Sequence, residues 1–283
     1  MTIVRHNVPI SELTSFKNQG QVKQVVTFET VSDIQSFLKD APEYFILGRG
    51  SNTVIDPATS MPCFAQVSPA ITPATCNKNR LQVSAGTPVN KLMTLLQEFG
   101  VSGLEFCAGV PASVGGMIAM NFGCFGHWMA DFVEKVRVIT ETGDDRWISV
   151  SELELGYRTS IFHSKKWIIV EAIFNLVADD PVTIKKRSHD FVRTRSEKQP
   201  LRDKTFGSIF KNPAGHFAAQ LIQSAGYKGY QIGDTQISDR HANFMINKGS
   251  ATFEEILDIL EKIQHDVTAK HQIDLELEVK LIS

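Results

Sequence analysis

Three short stretches of this 283-residue chain carry side chains able to manage charge or a proton: GYRTSIF around Arg158, GSIFKNP around Ser208, and LELEV around Glu278. Arg158 stands among Tyr157, Ile161 and Phe162. A guanidinium is permanently charged and offers five donors, so it suits an anionic ligand group; on residue pattern alone, a structural ion pair is the commoner use. Ser208 follows a glycine and precedes two apolar residues. No Gly-x-Ser-x-Gly elbow surrounds it, which argues against a hydrolase nucleophile and leaves a turn or cap as its ordinary use. Glu278 belongs to IDLELEVKLIS, in which Ile273, Leu275, Leu277, Val279 and Leu281 alternate with Asp274, Glu276, Glu278 and Lys280. That period predicts a half-buried strand with one polar face, and Glu278 on it. His241, in RHANF, fits a buried and hydrogen-bonded histidine as readily as a ligand contact.

Glycine supplies the second kind of chemistry. The stretch from Gly103 to Gly126 holds six glycines in 24 residues and one charged side chain, Glu105, and LGRGSN at 47–52 is a second cluster. Bare backbone in tight turns can form concavities of N–H groups that hold phosphate oxygens. Neither cluster continues into Gly-Lys-Ser/Thr, and neither is a Gly-x-Gly-x-x-Gly opening a helix. Tight packing of elements would explain one such cluster. Two of them, with Ser51, Asn52, Ser113 and Asn121 nearby, favour a diphosphate held mainly by main chain.

The elements that must position these residues interleave helix and strand. TVSDIQSFLKD predicts a short helix with Ile34, Phe37 and Leu38 on one face, and EYFILG a buried strand running into Gly48. In TPVNKLMTLLQEFG, Thr87 can cap, Pro88 suits the first helical position, Leu92, Leu95, Leu96 and Phe99 form the apolar stripe, and Gly100 ends the helix. VEKVRVIT, RWISVS and KWIIVEAIFNLV read as sheet, with a turn at ETGDD. FAAQLIQSAG and TFEEILDILEKIQHDVTAK read as helices, the second opening on a capping box of Thr252 and Glu255. Between sheet and helices, residues 183–204 place eight basic residues against three acidic ones. That shift in composition suits a domain boundary.

Composition excludes several classes. At 283 residues and 42% hydrophobic, the chain can bury the cores of one large or two to three small domains. Its net charge of −2 does not point to nucleic acid or a membrane surface as a partner. Cys63, Cys76, Cys107 and Cys124 are far apart and lack zinc-ligand spacing, so no metal is expected and free thiols in a reducing compartment are. With no basic-then-apolar leader and no apolar run near the ~20 residues of a membrane span, a cytoplasmic location is expected, and a monomer with it.

ILGRGSNTVI, GLEFCAGVPASVGGMIAMNFGCFG, GYRTSIF, GSIFKNP, GYQIGDTQISDRHANFMIN and LELEV, taken in order, resemble the successive motifs of the UDP-N-acetylenolpyruvoylglucosamine reductases, also called UDP-N-acetylmuramate dehydrogenases. Six motifs in order over nearly the whole chain make the resemblance specific. It implies an α+β fold of the vanillyl-alcohol oxidase (PCMH) type that binds FAD. Residues 1–62 would form one flavin-binding subdomain, with 272–283 returning near it, 63–195 the second, and 196–271 the substrate domain. Gly48, Arg49, Gly50, Ser51 and Asn52 would then make the first pyrophosphate turn. Gly109, Pro111, Ala112, Ser113, Gly115, Gly116, Asn121 and Gly123 would make the second.

The same resemblance implies the activity: NADPH reduces FAD, and the enolpyruvyl ether of UDP-N-acetylglucosamine then takes hydride to give UDP-N-acetylmuramate for peptidoglycan. By position Ser208 inherits the proton donor, and Arg158 and Glu278 the stabilisation of the enolate. Lys211, Asn212 and His241 fall to the substrate. RSEKQP resembles a segment that brings Arg195 or its neighbours to a diphosphate, that of the sugar nucleotide or of the reductant. The chain departs from the family pattern at Phe122, normally small, at Ala112 and Asp234, where glycine is common, at DKTF before Gly207, and at Leu277, normally proline. Two other readings use the same residues: an oxidase of the same fold, which would consume oxygen without a sugar nucleotide, and a colourless binding protein with a degenerate site.

Overall fold

Local rules account for most elements of the computed structural model, which describes residues 2–40 and 42–283. The helix Val31–Lys39 opens on a reciprocal capping box between Thr30 and Asp33, and Phe253–His271 on one between Thr252 and Glu255. Each box satisfies two otherwise orphaned N–H groups. Val89–Phe99 stops at Gly100, which takes the left-handed conformation that a Cβ penalises. Pro88, with extended backbone, is the N-cap of this helix and Thr87 lies outside it. Phe99 departs from the expected stripe: it is 38% exposed, whereas Leu92, Leu95 and Leu96 are buried. The strand Tyr44–Ile46 is half-buried rather than buried.

The chain divides into two compact units. The first comprises residues 1–6, 24–49 and 62–194; the second comprises 7–23, 50–61 and 195–283. One sheet runs in the order Ile3–Pro9, Gln21–Phe28, Cys63–Val67, Tyr44–Ile46, with the last three paired in parallel. The first unit also holds a five-stranded antiparallel sheet, ordered Asp145–Ser149, Val133–Ile139, Ile168–Asn175, Arg80–Ser84, Thr75–Asn77. Val26, Phe28 and Ile34 share an apolar cluster with Ile139, Ile168 and Val170. A larger cluster packs Val89–Phe99 and Val114–Ala119 against the five-stranded sheet, with Leu92, Leu96, Val114 and Phe174 fully buried. The second unit packs Ala218–Ser224 and Phe253–His271 around Phe206, Phe210 and Ile256 beside a three-stranded meander of Gln231–Ile232, Thr235–Ile237 and Met245–Asn247. The architecture is α+β.

The C-terminal pattern folds differently from its period. Only Lys280–Ile282 is strand, and it pairs in parallel with Thr53–Ile55. Residues 273–279 are irregular, touching sheet geometry once, where Leu277 bridges Phe210. Alternation alone specifies which face is apolar; a ladder also needs a partner edge, and here the partner is one short segment.

Two stability predictions follow. Thr252→Ala removes the side-chain acceptor for the N–H of Glu255, 3.2 Å away, and should cost about 1 kcal/mol in a urea titration. Asp145 receives a two-pronged hydrogen bond from Arg137, Nε to Oδ1 at 2.8 Å and Nη2 to Oδ2 at 2.6 Å, which holds its carboxyl below the usual carboxylate range. A lowered folded-state pKa contributes stability above the unfolded value of about 4, and that contribution disappears as pH falls from there toward the folded value. Asp145→Asn should therefore flatten the acid limb of a plot of urea midpoint against pH, with little effect on its slope above pH ~5.

Candidate active site

Within the second unit, three separate stretches converge. The extended segment 207–211 lies between residues 241–244 and 276–279: the N–H of Ile209 donates to the carbonyl of Asn243 at 2.9 Å, and the N–H of Glu278 donates to the carbonyl of Ile209 at 2.8 Å. Ser208 itself bridges Phe244. Asn52 joins this group, its Nδ2 donating to the carbonyl of Glu278 at 2.9 Å while its own carbonyl accepts from the N–H of Lys280. A Cβ built on Gly207 would lie 3.8 Å from the carbonyl of Ser51. Ser51, Asn52, Ser208 and Glu278 thus occupy one neighbourhood, although more than 200 residues separate Asn52 from Glu278.

The other residues of this unit lie close along the same segments. Lys211 donates from Nζ to the carboxylate of Glu276. The Oδ1 of Asn212 accepts from the N–H of Ala218 at 3.0 Å and so caps the helix Ala218–Ser224. His241 accepts the N–H of Asn243 at Nδ1, 3.3 Å away, so in its neutral form the ring carries its proton on Nε2. Burial lowers its pKa below the ordinary histidine value, and the nearby Lys228 acts in the same direction. Arg195 is 5% exposed, with Nη1 donating to Gln199 Oε1 at 3.3 Å; of the basic run it is a buried member. Asp234, standing where the resemblance has glycine, accepts the N–H of Ser250 at 2.7 Å and fixes that turn.

One residue the sequence reading did not single out holds this neighbourhood together. Asn243 is 4% exposed; its Oδ1 accepts from the N–H of Phe210 at 3.0 Å and its Nδ2 donates to the carbonyl of Phe210 at 2.8 Å. The amide imitates a strand partner for the segment carrying Ser208. Its signal in the sequence is an asparagine set between apolar residues in RHANF.

The first unit gathers the remaining candidates: Gly48, Arg49, the segment 109–123, and Arg158. A Cβ built on Gly48 would stand 2.7 Å from Ser113 Oγ and 3.7 Å from the Cα of Gly116, so the two glycine-rich turns meet with only the Ser113 hydroxyl between them. Gly48 and Arg49 are exposed there. Gly109 has φ of +83°, Pro111 is exposed, and the buried Ala112 accepts the N–H of Val89 at its carbonyl. The N–H groups of Val114 and Gly115 are committed to the carbonyls of Thr87 and Ala85, and that of Gly116 to Ser113 Oγ at 3.4 Å. The thin backbone of these residues is what they offer a ligand. The Gly123 position has a separate cause: a Cβ there would fall 2.1 Å from the Trp128 ring. Asn121 uses its amide to hold Gly156 and Ala130. Such a close meeting of two turns, with no acidic side chain in either and Arg49 exposed beside it, fits a dinucleotide diphosphate. Two surface clefts, of about 290 Å³ beside Gln35 and about 530 Å³ beside Gln264, contain none of the candidate residues.

The family model described as FAD binding domain matches residues 22–149. The solved structure of Physcomitrella patens BBE-like 1 wild-type superposes with a TM-score of 0.50 at 11% identity, over 62% of this chain and 42% of that one, a likeness of fold alone. The chain is an FAD-dependent oxidoreductase with the fold of the vanillyl-alcohol oxidase type. The model described as UDP-N-acetylenolpyruvoylglucosamine reductase, C-terminal domain, matches residues 199–282. A UDP-N-acetylenolpyruvoylglucosamine reductase of Halalkalibacterium halodurans is 35% identical over 99% of this chain and 94% of its own length. That of a Thermotoga species is 36% identical over 95% and 90%. The crystal structure of the UDP-N-acetylenolpyruvylglucosamine reductase of Thermus caldophilus matches at a TM-score of 0.85 and 30% identity, covering all of both chains. This chain belongs to the UDP-N-acetylenolpyruvoylglucosamine reductase family. Among the described residues, no helix is long and apolar enough to cross a membrane.

Proposed function

We propose that this protein catalyses the NADPH-dependent reduction of UDP-N-acetylglucosamine enolpyruvate to UDP-N-acetylmuramate, a step of peptidoglycan precursor synthesis, as a cytoplasmic monomer. The observation that carries the reading is the convergence of Asn52, Ser208 and Glu278 on one set of backbone hydrogen bonds. Residues 1–62 and 63–195 serve the flavin and 196–271 the sugar nucleotide, with 272–283 returning beside the first part. FAD, held by the turns at 48–52 and 109–123, supplies the hydride carrier between nicotinamide and enolpyruvyl ether.

The protein's own groups manage charge and protons. Hydride arriving at the methylene carbon leaves the adjacent carbon and its carboxylate as an enolate. Arg158 as a guanidinium and Glu278 as a protonated carboxyl donate to that charge, an effect worth roughly 10²- to 10³-fold for each well-placed donor. The Ser208 hydroxyl then delivers a proton to the adjacent carbon, closing the lactyl ether. Lys211, Asn212 and His241 bind substrate, His241 as a neutral donor from Nε2, and Arg195 meets a diphosphate.

The test is direct. Purified protein should be yellow and should oxidise NADPH only when UDP-N-acetylglucosamine enolpyruvate is present. Consumption of NADPH and oxygen without that substrate would replace this reading with an oxidase, and a colourless protein that binds UDP-sugars without turnover would replace it with a binding protein.

A further inference from the structure

Arg158 is held in an unusual way. Gly156 and Thr159 pair backbone to backbone, N–H to carbonyl at 3.1 and 3.4 Å, leaving Tyr157 and Arg158 at the corner of a tight turn. Arg158 has φ of +56°, a position that normally takes glycine or asparagine. Strained backbone of this kind persists only where the surroundings over-determine it, and it concentrates at functional sites. The surroundings do so here: Asn121 Nδ2 donates to the carbonyl of Gly156 at 2.9 Å, Asn121 Oδ1 accepts from the N–H of Ala130 at 3.1 Å, and Ser160 Oγ donates to the carbonyl of Ala119 at 2.6 Å.

Three aromatic rings then surround the guanidinium. Its Cζ lies 5.7 Å from the centroid of Phe122, 5.9 Å from Trp128 and 5.5 Å from Tyr157. The rings are themselves fixed: Trp128 meets Tyr157 edge to face at 6.0 Å, and Phe122 stacks on the buried Phe106 at 6.1 Å with 6° between planes. Trp128 in turn rests where only a glycine at position 123 leaves room. A ring face attracts the cation's charge without consuming an N–H donor, so this arrangement is compatible with forked recognition of a carboxylate.

We propose that Phe122, Trp128 and Tyr157 form a seat that orients the Arg158 guanidinium toward the carboxylate of the ligand, which makes these three rings positioning residues for carboxylate selection. The proposal rests on the reading above, in which Arg158 meets the enolpyruvyl carboxylate.

Binding separates the seat from general packing. Calorimetry on the FAD-loaded protein compares UDP-N-acetylmuramate, which carries a lactyl carboxylate, with UDP-N-acetylglucosamine, which does not. Tyr157→Leu and Phe122→Leu should each weaken the first ligand by about 3- to 30-fold and leave the second unchanged. Tyr157→Phe, which keeps the ring, should restore the preference. In an Arg158→Ala background the leucine substitutions should have no further effect. Tyr157 is 43% exposed, so its variants should keep the wild-type thermal midpoint and report on binding alone. Equal weakening of both ligands, no weakening, or an undiminished loss in the Arg158→Ala background overturns the seat. Should Arg158→Ala itself leave the preference for the carboxylate ligand intact, the role given to Arg158 fails and the seat with it. Loss of the preference in Arg158→Ala but not in the ring variants overturns the seat alone.

Discussion

Ser208→Ala is expected to split the two halves of the reaction. NADPH should still bleach the yellow chromophore at the wild-type rate, while recovery of colour on adding UDP-N-acetylglucosamine enolpyruvate should slow by about 10²- to 10⁴-fold, the usual contribution of a positioned general acid. The asymmetry arises because the first half needs only the flavin and the nicotinamide, whereas the second ends with a proton delivered to carbon. The substitution deletes one oxygen from a half-buried position and leaves the backbone of 207–211 pinned by Asn243 and Glu278, so the fold should tolerate it. Stopped-flow absorbance at the flavin band reads both halves from one preparation. If the recovery phase kept its wild-type rate, the proton would come from another group and the assignment of Ser208 would fall.

Gly50→Ala should destabilise the protein by about 2–4 kcal/mol, for two reasons that add. The residue has φ of +58°, where a side chain costs about 1 kcal/mol. The new Cβ would also lie 2.2 Å from the carbonyl oxygen of Leu13 and 2.8 Å from the Cα of Thr14, and backbone cannot swing aside as a side-chain tip can; overpacking of this kind costs roughly 1–3 kcal/mol. Gly126→Ala supplies the comparison, because it has φ of +82° with nothing within 4 Å of its built Cβ. It should lose only the conformational part, about 1 kcal/mol. Urea titrations with unchanged slope would measure both losses. Equal losses would mean that Gly50 is glycine for its φ alone and that its packing against Leu13 contributes nothing.

The difference between those two glycines marks what the chain makes legible. From the residues alone both are turn glycines, and only the neighbour of Gly50, 37 positions earlier in the chain, separates them. The start of Phe253–His271 was readable because its capping box closes within three residues, Thr252 with Glu255; the box of Thr30 with Asp33 emerged only in the structure. The C-terminal alternation was misread as one strand because ladder formation depends on a partner edge that periodicity does not report. Asn243 escaped notice for the same reason, since its amide serves Phe210, 33 residues away.

The sequence by itself determined the family, the α+β class, the glycine-rich turns and the helices Val31–Lys39, Val89–Phe99, Ala218–Ser224 and Phe253–His271 to within a few residues, but not Pro181–Lys198, which it showed only as a basic run. Tertiary structure alone decided that Asn52 grips the backbone of Glu278 and that three rings surround Arg158. Such contacts form when apolar burial folds distant segments onto one core, and no local preference of the chain encodes which segments will meet.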